Sequence, residues 1–195
     1  MNYIFLMKRT LFTFISISYF STSMAQQYET QNFNLIKIID KAEIRFYPPV
    51  MKIKSNRENG FSNLFGYISG KNIANQRIAM TTPVYIKKNG EKEVMEFVLP
   101  RLFNKKDTPM PLSQKVEVYE SQSGYYVAFP FKGYAFDWVT NKAINELKDI
   151  VNSNNLKIIG EPIILIYNSP YKLFNRKNEI LFKIAFKTLS SNNVK

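Results

Sequence analysis

The apolar pattern of this chain runs twice through one order of elements, and that duplication restricts the fold more than any other feature. Ala42 to Lys54 (AEIRFYPPVMKIK) alternates with Ile44 and Phe46 on one face until Pro48-Pro49 forces a bulge or an edge position, and Phe33 to Asp40 reads as a strand before it. Asn56 to Ser69 sets Phe61, Leu64, Phe65 and Ile68 at i, i+3, i+4 and i+7, one apolar face of a short helix opened by Asn56 and closed by Gly70. Gly60 and Gly66 would each cost about 1 kcal/mol inside such a helix, so either the helix is short or something approaches its backbone closely. Arg77 to Lys87 and Glu93 to Leu99 follow as a hairpin turned at Asn89-Gly90.

The second half repeats the order. Lys115 to Glu120 and Tyr125 to Phe131 alternate around Ser123-Gly124. Asp137 to Asn152 carries Val139, Ala143, Ile144, Leu147, Ile150 and Val151 on one helical side, with Asp137 as N-cap. Glu161 to Tyr167 and Glu179 to Lys187 close the chain, the last with Ile180, Phe182, Ile184 and Phe186 alternating against Lys183 and Lys187. Each half therefore reads strand, strand, helix, strand, strand. Eight strands dominated by hairpins predict a largely antiparallel α+β fold, and two interposed helices fit outside a small barrel or an open sheet.

The sequence contains neither Cys nor His. That removes disulfides, the usual thiolate and imidazole metal sites, Ser-His-Asp and Cys-His triads and imidazole acid-base catalysis. No GxSxG, P-loop or GxGxxG motif is present, and the one close group of carboxylates, Glu91, Glu93 and Glu96, falls on the hairpin. No catalytic residue is therefore assigned, and a binding protein is expected rather than an enzyme. The formal charge is +12, yet no Lys/Arg run exceeds two residues, so a nucleic-acid partner is not expected.

Residues 1–25 read as an export signal: Lys8 and Arg9, the apolar run Leu11 to Phe20, then Ser23-Met24-Ala25 with small residues at −3 and −1. Met7 is a second possible start. The apolar run falls well short of the roughly 20 residues that span a bilayer, so cleavage after Ala25 and a periplasmic or secreted chain of residues 26–195, forming one domain without membrane insertion, are expected.

Gly60 to Gly70 (GFSNLFGYISG), Ile78 to Val84 (IAMTTPV), Met95 to Pro100 (MEFVLP) and Tyr167 to Glu179 (YNSPYKLFNRKNE) resemble, in order and spacing, the SOUL/haem-binding protein family. Pro109 to Pro111 between the halves and Gly133 agree with it, and the resemblance spans about residues 33 to 186. It implies a distorted eight-stranded antiparallel barrel flanked by two helices, with a pseudo-twofold repeat. It also implies non-covalent binding of haem or another tetrapyrrole in an apolar surface cleft.

On that resemblance, one wall of the cleft carries Phe61, Leu64, Phe65 and Ile68, and the other Tyr167, Pro170, Tyr171 and Phe174. Arg57, Lys71, Lys172 and Arg176 are the cations near enough to meet propionates. A helix cannot face barrel and ligand with the same side, so some of the four helical residues belong to the core. Arg176, with Asn178 and Glu179, also reads as a polar network tying the last loop to the sheet, and Met80 as a residue inside the barrel. Without His, an axial ligand would have to be Tyr, Met or a neutral Lys, or capture would be hydrophobic alone. The alternative use of the same cleft is to hold a peptide or a partner helix.

Overall fold

The computed structural model describes residues 28–56, 58–89 and 92–186. Residues 1–25, read above as an export signal, and Arg57, Gly90 and Glu91 lie outside the described residues. Twelve strands and two helices appear in the order β1 (Glu29–Thr30), β2 (Asn34–Ile39), β3 (Ala42–Tyr47), β4 (Met51–Asn56), α1 (Gly60–Ile68), β5 (Thr81–Thr82), β6 (Val84–Asn89), β7 (Lys92–Val98), β8 (Glu117–Glu120), β9 (Gly124–Lys132), α2 (Asp137–Ser153), β10 (Lys157–Ile158), β11 (Ile163–Ile166) and β12 (Lys177–Ala185). Among the described residues no helix is long and apolar enough to cross a membrane.

Ten strands form one sheet along the path β2-β3-β9-β12-β11-β6-β7-β4-β8, with β10 on β12, and every pairing in it is antiparallel. Apart from it, β1 pairs in parallel with β5. The fold is α+β, and the internal repeat is visible in the path. β3-β4-α1-β6-β7 corresponds to β8-β9-α2-β11-β12, the two halves meet at β6 and β11, and each half's first strand pairs into the other half, β3 with β9 and β8 with β4.

The repeat begins one strand later than the sequence pattern suggests. Ala42 to Lys54 is not one bulged strand but two, because Pro48 and Pro49 have no N–H to give a ladder. Beyond the prolines the chain is free to join different neighbours, so β3 lies between β2 and β9 while β4 lies between β7 and β8. β2 is then an added edge strand.

Alternation along the strands gives the sheet two unlike faces. The outer face carries two cores: Ile44, Val127, Phe129, Ile180, Phe182 and Ile184 under Ala143, Leu147 and Val151 of α2, and Met51, Ile53, Phe97 and Leu99 under Leu64, Tyr67 and Ile68 of α1. The inner face carries a third, of Tyr47, Tyr85, Val98, Ala128, Leu165 and Leu181. Tyr47 on β3 and Tyr119 on β8, near opposite ends of the path, line one inner cavity, so the sheet is rolled about this face like a distorted barrel. No ladder joins β2 to β8 among the described residues.

The inner face also holds buried charge. Arg45 grips Glu179 with two parallel hydrogen bonds, Nη1 to Oε2 at 2.8 Å and Nη2 to Oε1 at 2.9 Å, and the Tyr167 hydroxyl donates to the same carboxylate at 2.6 Å. At the equivalent place in the other half, Glu96 accepts from Lys87 at 2.8 Å and faces Lys52 at 3.5 Å. Burial works against both carboxylates, but the hydrogen bonds and charge of Arg45 outweigh it at Glu179, and the charges of Lys52 and Lys87 at Glu96. Both therefore titrate below 4.5. The stability they contribute is present above pH 4.5 and is lost as pH falls through their lowered native values, because there the unfolded chain binds more protons. Urea unfolding between about pH 6 and pH 3 is expected to show a falling free energy, and Glu179→Gln to flatten the slope.

Candidate functional site

The short helix α1 sits where its sequence demands. It starts at Gly60 rather than Asn56: Asn59, at φ 57°, precedes it and makes no side-chain cap, and a β-carbon on Gly60 would lie 3.4 Å from Met95 Cβ. At Gly66 the Lys71 stem crosses the helix, 3.3 Å from where a β-carbon would stand, and Gly70, at φ 114°, turns the chain away as expected. Both helical glycines thus mark close approaches.

Nine residues give α1 two distinct sides. Leu64, Tyr67 and Ile68 are buried in the core beneath it, whereas Phe61 and Phe65 are 47% and 50% exposed and stack on each other, centroids 5.7 Å apart and planes 10° from parallel. The four-residue stripe therefore divides. Leu64 and Ile68 are core and do not reach ligand space, because the sheet already claims that side of the helix. Leu64→Ala is expected to cost about 2–5 kcal/mol of stability and Phe65→Ala less than about 1 kcal/mol, as measured by denaturant unfolding.

Phe61 and Phe65 form one side of a largely apolar cleft of about 520 Å³. Its floor comes from Val84, Ile86, Met95 and Ile166, outward-pointing residues of β6, β7 and β11, together with Met80 just before β5, and its far wall from Tyr167, Ser169, Pro170 and Tyr171. Met80 is a floor residue, half-buried on the outer face and not inside the barrel, because IAMTTPV runs along the edge of the α1 core before entering β6. In the sequence Met80 reads as a possible soft ligand that packs inside the barrel, and Met95 does not stand out, since an outward methionine reads like any strand apolar position.

Arg176 borders the cleft, but its guanidinium is committed to the chain. Nη1 donates to the carbonyls of Ser169 (2.8 Å) and Lys172 (2.7 Å), and the group lies over the Tyr134 ring at 4.4 Å. Arg176 and the Tyr167–Glu179 hydrogen bond hold the loop from 167 to 176, while Asn178 donates to the Gly133 carbonyl at 2.7 Å and ties β12 to the turn after β9. Arg176→Ala is expected to lower hydrogen-exchange protection in residues 168–172 while leaving the sheet protected, since all three hydrogen bonds it removes go to carbonyls of this loop.

Tyr167 lines the cleft, yet its hydroxyl is turned to Glu179, and burial with that carboxylate pushes its pKa far up, so it stays a neutral phenol. Tyr171 is 89% exposed at the cleft rim. Lys71, Lys172 and Phe174 are exposed and do not line the cleft, and Arg57 lies outside the described residues. Phe174 points away because Arg176 folds the loop back through the Ser169 and Lys172 carbonyls, leaving Leu173 and Phe174 on its outside.

The family model of the SOUL heme-binding protein matches residues 28–183. Human heme-binding protein 2 is 27% identical over 155 residues, covering 71% of this chain and 75% of the human one, and its mouse counterpart is 24% identical over the same shares. Among solved structures, the EcmrR C-terminal domain matches with a TM-score of 0.53 at 14% identity, over 76% of this chain and 99% of that one. A hydrolase from Listeria innocua matches with a TM-score of 0.55 at 10% identity, over 76% and 94%. At such identities the two structures share the fold alone.

Proposed function

The chain belongs to the SOUL heme-binding protein family, and from that premise we propose that it holds haem or a related tetrapyrrole, without a covalent link, in the cleft between α1 and the 167–176 loop. The observation that carries this reading is the stacked, half-exposed pair Phe61 and Phe65 facing Pro170 and Tyr171 across an apolar floor. Two large aromatic rings left in water on a helix whose other side is fully packed form an unpartnered apolar surface, and a flat apolar disc matches its shape. The volume lies in the range of ordinary ligand sites.

Among the cleft residues, iron-binding atoms are the thioethers of Met80 and Met95 and the phenols of Tyr28 and Tyr171. Tyr167 is spoken for by Glu179. Bound haem would supply its own redox and gas-binding chemistry, and the chain supplies shape and dryness. Lys71 on the α1 side and Lys172 on the loop are the cations we assign to the propionates, with Arg57. We read the protein as a carrier or buffer rather than an enzyme, because the carboxylates and the lysine with shifted pKa values pair on the inner face of the sheet, and Tyr167, the shifted group that lines the cleft, turns its hydroxyl to Glu179. We also propose that it is exported after cleavage behind Ala25; mass spectrometry of the mature protein should then find Gln26 at its N-terminus.

A haemin titration tests the reading. A saturable, one-to-one Soret change that survives competition by a haem-scavenging apoprotein is expected. Trp138 is 73% exposed on α2 and outside the cleft, so absorbance rather than its quenching is the readout. No saturable change, with an amphipathic helical peptide bound instead in a manner lost in Phe61→Ala, would replace the tetrapyrrole by a peptide partner.

A further inference from the structure

We propose that the inner face of the rolled sheet is a second binding site, for a compact dianion such as a small dicarboxylate, separate from the aromatic cleft. The cavity there measures about 370 Å³ and reaches solvent beside Ser121 and Gln122. β6 divides the two sites, with Val84 and Ile86 in the cleft and Tyr85 and Lys87 in the cavity. Nothing in the inner site depends on haem binding outside.

Charge on this face does not balance. Arg45 and Lys177 are matched by Glu43 and Glu179 at one side of this face, but around the cavity itself Lys52, Lys87 and Lys183 face a single buried carboxylate, Glu96. Arg45 and the Tyr167 hydroxyl engage Glu179 fully. Glu96 is shared between Lys87 at 2.8 Å and Lys52 at 3.5 Å, with the Tyr119 hydroxyl also hydrogen-bonded to it. Lys183, half-buried on the cavity wall, makes no ion pair among the described residues. Two positive charges are thus left over around a space large enough for a small molecule. Glu120 at the mouth is exposed, so water and salt screen it.

The cost of that excess shows at Lys52, which is 4% exposed with its ammonium 3.3 Å from the centre of the Tyr85 ring. Burial, against the help of Glu96 and with the opposition of Lys87, lowers its pKa to about 7. The other groups around the cavity are the phenols of Tyr47, Tyr85, Tyr119 and Tyr126, and Lys183 from β12. Burial raises the pKa of each of these phenols, so they stay neutral near pH 7 and cannot neutralise the cations. A dianion between Lys52 and Lys183 supplies the missing charge, and Gln31, whose Oε1 already accepts from Tyr85 at 2.5 Å, offers its NH2 group as a further donor. Because the bound dianion favours protonated Lys52, binding takes up a proton above neutrality and weakens as pH rises from 6.5 to 8.5.

Isothermal titration of the purified protein with succinate, in buffers of different ionisation enthalpy at pH 6.5 and 8.5, is the test. One-to-one binding with proton uptake at pH 8.5 is expected. Lys183→Gln, which removes a cation that makes no ion pair among the described residues, is expected to weaken it about tenfold or more, and Phe65→Ala to leave it unchanged. The monoanion propionate is expected to bind at least about tenfold more weakly than succinate. No saturable binding up to about 10 mM succinate, equal binding by Lys183→Gln, or equal affinity for propionate would each overturn the assignment.

Discussion

Replacing Glu179 by Ala is expected to destabilise the protein by about 3–5 kcal/mol, because it leaves the Arg45 charge buried without its partner. Arg45 is 4% exposed and Glu179 2%, and after the substitution the guanidinium keeps Glu43, at the surface end of β3, the Tyr47 hydroxyl and the face of Phe33, but no buried carboxylate. The Tyr167 hydroxyl loses its acceptor at the same time. For a domain of this size each kcal/mol moves the melting temperature by about 2–4 °C, so a fall of roughly 6–20 °C should accompany the loss in denaturant unfolding. Substituting both partners with apolar residues, Arg45→Met with Glu179→Leu, is expected to recover most of it, since the cost lies in the orphaned charge rather than in the missing attraction. A single Glu179→Ala that loses less than about 1 kcal/mol would contradict the buried, tightly paired state of Arg45 and Glu179.

The second large effect belongs to the cleft. Phe61→Ala with Phe65→Ala should lower haemin affinity about a hundredfold or more: burying each ring against a ligand is worth about 1.5–3 kcal/mol, and 1.4 kcal/mol is a factor of ten. Stability should fall far less than in Leu64→Ala, although Phe61 also gives up an edge contact with Phe97 at 5.6 Å. Soret titration of both variants beside their unfolding curves separates the two roles. Unchanged haemin affinity in a folded double variant would remove α1 from the site.

Much of this fold is written in the spacing of its apolar residues. The last strand is legible because Ile180, Phe182 and Ile184 pack under α2 while Lys183 turns inward, a period of two with unlike neighbours on each side. The split at Pro48-Pro49 is half legible: the prolines announce a break, but only tertiary pairing decides that β3 and β4 join different neighbours. On α1 the four-residue stripe shows an apolar helix and cannot show that its two sides meet different things, since Leu64 and Phe65 are adjacent in sequence and opposite in burial. Arg176 is legible as a cation near the ligand loop, while its use as a clip for the Ser169 and Lys172 carbonyls depends on a turn that no spacing encodes. Least legible is the inner face. Arg45, Lys52 and Glu96 look like the solvent side of amphipathic strands, and rolling the sheet turns that side inward, which pairs them.

The most direct test of the cleft is to watch its floor. With methyl-labelled methionine, Met80 and Met95 report from inside the cleft and Met110, 60% exposed and outside it, serves as a control. One equivalent of paramagnetic ferric haemin is expected to broaden the Met80 and Met95 methyl resonances beyond detection and to leave Met110 sharp. Persistence of the Met80 and Met95 signals at saturating haemin, or equal broadening of Met110, would show that the tetrapyrrole does not lie between α1 and the 167–176 loop.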